Sequence, residues 1–82
     1  MTLVELTEYI VKSLVVNGEN VSVKEFESDE ENTVLIQVLV DSEDMGCVIG
    51  KNGKIANAIR TIVQASSYVN ENKKVKINID SL

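Results

Sequence analysis

Between Asp41 and Val69 the chain has helical character, cut once at Ile49-Gly50-Lys51-Asn52-Gly53-Lys54. Glycines at both ends of the cut let the backbone adopt positive φ, so the chain can turn there. Asp41-Ser42-Glu43-Asp44 places acids where they suit the positive end of a helix dipole, and the helix it opens must be short. From Lys54 to Val69 a longer helix puts Ile55, Ile59, Ile62 and Ser66 on one face, flanked by Ala58, Val63, Ala65 and Val69. Any fold open to this chain must therefore set two helices, joined by a glycine-bounded turn, against a shared apolar layer.

Two other stretches supply that layer. Thr33 to Val40 is rich in β-branched residues; Val34, Ile36, Val38 and Val40 share one face, while Gln37 interrupts the other. Val21 to Phe26 reads as a shorter strand, and the polar turn Ser28–Asn32 should join the two as an antiparallel hairpin. Lys73 to Ile79 alternates, with Val75, Ile77 and Ile79 inward and Lys74, Lys76 and Asn78 outward. At the start, Thr2-Leu3-Val4-Glu5 matches a capping box and opens a helix with Leu3, Leu6, Ile10 and Leu14 on its stripe, ended by Asn17-Gly18. The element order is α-β-β-α-α-β, without linker or repeat.

Composition narrows the function. Eighty-two residues, 44% hydrophobic and 26% charged, make one globular domain (1–82). Histidine is absent and Cys47 is the only cysteine, which removes histidine-based triads, His- or Cys-based metal sites and disulfides. So small a core is expected to lean on a partner or a second copy. No apolar run approaches the ~18 residues of a membrane span, and the N-terminus lacks a basic, signal-like start, so the chain reads as soluble and cytoplasmic. The net charge of −5 is uneven: residues 1–44 carry two cations against eleven carboxylates, residues 45–82 six against two. That balance argues against bulk polyanion binding and allows a local, oriented anion site.

The glycine turn is where such a site belongs. Glycines leave no Cβ to block an approaching ligand backbone, the following helix offers free N–H groups, and Lys51 and Lys54 add charge. Phosphate contact is the expected chemistry. A Walker A loop is excluded because Gly46 and Gly50 are separated by three residues and Asn52 follows Lys51. A dinucleotide fingerprint would follow a strand, not a helix.

A Gly-x-x-Gly between two helices, inside a β-α-α-β order, resembles the KH RNA-binding domain. The stretch from Glu43 to Ile62 is similar to the small single-KH bacterial proteins called KhpA. The resemblance spans nearly the whole chain. It implies an α+β fold of the type II KH arrangement, α-β-β-α-α-β, with a three-stranded sheet covered by helices. It also implies a non-enzymatic protein that holds about four single-stranded nucleotides, with no cofactor and no metal. Carried onto this chain, Gly50, Lys51, Asn52 and Gly53 form the clamp, Lys54 supports it, and Ile49 and Ile55 are candidates for an apolar floor under the bases. Cys47 stands where the family usually has a basic residue, and Ala56 where many KH domains have a large aliphatic one. Tyr9, Phe26 and Tyr68 lie outside the loop and read as core or surface residues, not as stacking platforms.

The same resemblance implies self-association, pairing with a KhpB-like RNA-binding protein, and a role as RNA chaperone or post-transcriptional regulator linked to cell shape. On the helix 54–69, Ile62 and Val63 are the candidates for the partner interface. A second reading is a protein-interaction adaptor or ribosome-assembly factor, in which a partner supplies most RNA contacts. The acidic residues 25–31 read as a solvated hairpin edge, not a metal site.

Overall fold

The computed structural model describes residues 1–82. Its elements are α1 (Leu3–Leu14), β1 (Ser22–Glu27), β2 (Thr33–Val40), α2 (Met45–Ile49), α3 (Lys54–Asn70) and β3 (Lys74–Ser81), with short 3₁₀ turns at Gly18–Asn20, Ser42–Asp44 and Lys51–Gly53. The expected element order holds, with an α+β architecture. The three strands form one sheet in the order β1-β2-β3. β1 pairs antiparallel with β2, and β3 pairs parallel with β2. A parallel pair needs a crossover, and here α2, the glycine turn and α3 provide it. The turn is thus built into the connection that makes the sheet.

β2 is central, so its inward face is buried on both sides: Val34, Ile36, Val38 and Val40 are at most 7% exposed. Val23 of β1 and Ile77 of β3 extend that layer, and Leu3, Val11, Val48, Ile59 and Val63 close it from the helices.

The buried stripes of the two long helices are rotated from those the apolar residues suggest. In α1 they are Leu3, Thr7 and Val11; in α3 they are Ala56, Ile59, Val63 and Ser67. Leu14 and Ile62 instead reach solvent. Small hydroxyl residues lie where the helices approach their neighbours closely, and each satisfies itself locally. Thr7 Oγ1 donates to the Leu3 carbonyl at 2.7 Å, and Ser67 Oγ to the Lys73 carbonyl at 2.6 Å.

The expected capping box is present: Thr2 Oγ1 accepts from the Glu5 N–H, and Glu5 Oε1 accepts from the Thr2 N–H. Asp44 departs from expectation. It does not cap its own helix. Its carboxylate turns back to the end of α1 and accepts from the N–H groups of Val16 (3.2 Å) and Asn17 (3.0 Å) and from the Asn17 side-chain amide (3.1 Å). The residue is 2% exposed. Burial alone would raise its pKa, but the Asn17 and Val16 backbone donors and the Asn17 amide together outweigh it and hold the carboxyl below its ordinary 3.8.

A carboxyl whose folded pKa is depressed contributes stability that is present above the unfolded value and lost as pH falls through the folded one. Thermal denaturation should therefore show the wild type losing melting temperature below about pH 4. Asp44→Asn, which leaves donors facing an amide, should melt roughly 5–10 °C lower at pH 7 and lose less on acidification. Equal melting temperatures at pH 7 would show that this tie contributes nothing.

Candidate functional site

α2 ends where its own backbone requires a glycine. The Gly50 N–H still donates to the Gly46 carbonyl at 3.0 Å, but Gly50 itself takes φ 75°, ψ 176°, a region closed to residues with a Cβ. Asn52 follows at φ 58° and Gly53 at φ 75°. Asparagine is among the side chains that tolerate the left-handed region, which explains its place between the glycines. The Gly53 N–H donates to the Gly50 carbonyl at 3.3 Å, and the Lys54 N–H to that of Lys51. The turn is therefore an ordered backbone reversal.

The two glycines are needed for different reasons. A Cβ on Gly50 would stand 2.6 Å from Ile55 Cγ1 and 2.9 Å from Ile55 Cβ, so Ile55 packs directly over the glycine. A Cβ on Gly53 would meet nothing within 4 Å. Gly53 keeps a space open in front of the turn, at the start of α3, where no side chain caps the helix. The Gly53 and Lys54 N–H groups are spent within the turn, but a helix start still carries the positive end of the dipole and favours an anion. Lys51, Asn52 and Lys54 are exposed around that space. The only ion pairs in the protein are Lys12–Glu8 and Lys76–Glu30, so the turn's lysines remain free for a ligand.

Of the residues expected at the site, Gly50 to Lys54 form the exposed turn. Ile49 and Ile55 are half-buried against the core, flanking it. Cys47 is exposed and unpaired on α2. Ala56 lies in the core, so its small size suits helix packing. The proposed interface pair separates. Ile62 is 50% exposed, whereas Val63 is wholly buried and has no surface to offer. This corrects the Val63 assignment: the rotation of α3 that buries Ala56, Ile59 and Val63 turns Ile62 outward. Sequence periodicity missed a second role at the far end of α3. There the Gln64 amide donates to the Lys73 carbonyl (3.0 Å) and accepts from the Val75 N–H (2.8 Å), mimicking a strand partner on β3.

The family model described as "KhpA/KhpB, KH domain" matches residues 4–79. An RNA-binding protein KhpA of Clostridium perfringens is 49% identical over 75 residues, covering 92% of this chain and 96% of the relative. Its counterpart in Clostridium acetobutylicum is 45% identical over the same coverage. Among solved structures, Era in complex with MgGDPNP and part of 16S ribosomal RNA superposes with a TM-score of 0.67 at 19% identity. That match spans 96% of this chain and 29% of Era, and it concerns the fold alone.

The glycines can be told apart experimentally. Gly50→Ala combines left-handed strain with the Ile55 overlap and should cost about 2–4 kcal/mol of stability. Gly53→Ala meets only the backbone strain, about 1 kcal/mol. Equal losses in chemical denaturation would contradict the close packing of Ile55 over Gly50.

Proposed function

The chain belongs to the KhpA/KhpB KH-domain family, and on that footing we propose that it binds single-stranded RNA with the turn Gly50-Lys51-Asn52-Gly53 against the sugar-phosphate backbone. The observation that carries this reading is the uncapped start of α3, kept open by Gly53 and bordered by unpaired Lys51 and Lys54. A backbone phosphate placed there meets the positive end of the helix dipole and two cations. Ile49 and Ile55 offer apolar surface beside it for bases. Base-edge discrimination is weak in such an arrangement, so binding is sequence-tolerant and suits an RNA chaperone or post-transcriptional regulator in the cytoplasm. Nothing in this role calls for catalysis.

A clamp of about four nucleotides gives modest affinity, and joining two of them raises it. We assign the partner face to α3, where Ala58, Ile62, Ala65 and Val69 form an exposed apolar stripe at helical spacing; Ile62 is 50% and Val69 84% exposed. A second copy or a KhpB-like protein is the partner in this reading. The adaptor alternative uses the same stripe and leaves the turn idle.

Two measurements test these assignments. In an anisotropy titration with short single-stranded RNA, Lys51→Asp combined with Asn52→Asp should weaken binding at least tenfold while the fold, with both glycines kept, survives. The wild-type salt slope should be about −2, for about three phosphates on a single strand. Unchanged binding by the double variant would end the clamp reading and favour the adaptor. Separately, Ile62→Asp should shift the protein toward monomer in sedimentation; a wild type already monomeric at high micromolar concentration would end self-association.

A further inference from the structure

The helices cover one face of the sheet, and the other face is open. Cross-strand partners lie on the same side, so the register defines that face row by row. Phe26, Leu35 and Lys76 make one row, and Lys24, Gln37 and Asn78 the next. Lys74 extends the pattern beside Thr33. Phe26 is 47% exposed, and Lys24, Gln37, Lys74, Lys76 and Asn78 are exposed. Glu25 and Glu27 pair with Ile36 and Val34, so strand alternation puts them on the opposite side. The acids that do meet this face are Asp80, beside Leu39, and Glu30, already bonded to Lys76 at 2.6 Å. A chain of net charge −5 thus has a sheet face with three lysines against two acids, carrying an exposed aromatic ring and two neighbouring amides.

The geometry points to this open face as a second contact surface for single-stranded RNA, continuing the strand held by the glycine turn. The inference rests on the RNA reading of that turn. Each part of the face has a matching part in a nucleotide. The Phe26 ring stacks a base. Gln37 and Asn78, adjacent in one row, each carry an amide donor and acceptor that can meet a base edge. Lys24 and Lys74, which no carboxylate holds, meet phosphates, while Lys76 stays tied to Glu30. β3 is an edge strand, so RNA that runs from the turn along α3, over the pocket lined by Arg60, Thr61, Gln64, Ala65, Tyr68 and Val75, reaches this face past Lys73 and Lys74 at the far end of the helix. Charge complementarity selects a polyanion over an apolar partner. Proteins that read single strands on an open sheet use the same combination of aromatic ring and cations.

NMR titration with uridine tetranucleotide and uridine decanucleotide tests the assignment. The tetranucleotide should move only amides of the turn and the start of α3; the decanucleotide should also move those of Phe26, Gln37 and Asn78. Phe26→Leu with Lys24→Gln should weaken decanucleotide binding about tenfold and leave the tetranucleotide unaffected. Lys24→Gln alone, at an exposed position, should reduce the salt slope by about 0.7 for the longer strand and keeps the test valid if the Phe26 variant unfolds. Decanucleotide shifts confined to the turn, or an unchanged decanucleotide affinity in the folded double variant, would overturn the sheet contact and leave the clamp standing. Shifts on the sheet without shifts on the turn would support the sheet contact as a site of its own, overturning both the continuous strand and the clamp. Sheet shifts that track protein concentration without RNA would show that a second copy takes the face, which also overturns the proposal.

Discussion

The buried carboxylate of Asp44 is the tie on which the arrangement of the helices depends. It sits at the exit of β2, immediately before α2, and holds the residues just past the end of α1 through three hydrogen bonds. Two of those donors are backbone N–H groups just past the C-cap, where the chain has left the helix, and the third is the Asn17 side-chain amide. Without the carboxylate, α1 could slide over the sheet and the start of α2 would lose its reference point. With it, the strand that carries the core, the N-terminal helix and the helix leading to the glycine turn meet at one place. A charge here is tolerated because every contact it makes is a donor, and the cost of burial is offset by those contacts.

From that junction the structure controls the turn through α3. At one end Ile55 packs over Gly50; at the other, Gln64 and Ser67 hold Lys73 and Val75. A helix fixed at both ends is a rigid support, and a ligand site at its start inherits that rigidity. The Gln64 amide has a further effect. β3 is an edge, and its first outward backbone groups are occupied by a side chain of the same protein, which blunts the edge against pairing with other strands.

Much of this is legible in the residues. The period-two pattern of β2, the capping box at Thr2 and the glycine pair announce strand, helix start and turn because each depends on neighbours within a few positions. The facing of the long helices is less legible. Counting apolar residues puts Leu6, Ile10 and Ile62 at the centre of the stripes, whereas Thr7 and Ser67 occupy it, since close approach selects small side chains and a local carbonyl satisfies their hydroxyls. The destination of Asp44 is illegible for a different reason. An acid before a helix has a sufficient local explanation, and its actual partners are 27 and 28 positions away. The open sheet face was half legible: the outward lysines show in the alternation, but their company with Phe26 depends on strand register.

The parallel pairing of β2 with β3 has a consequence in time. A chain made from its N-terminus can form α1 and the β1–β2 hairpin early, because their contacts are close in sequence. α2 and α3, however, need Ile77 and Ile79 of the last strand as part of their apolar floor. Until β3 docks, the crossover is an unclosed loop and the glycine turn has no firm support. The turn proposed to grip RNA is therefore the last part of this fold to gain its support, once β3 has docked beside β2.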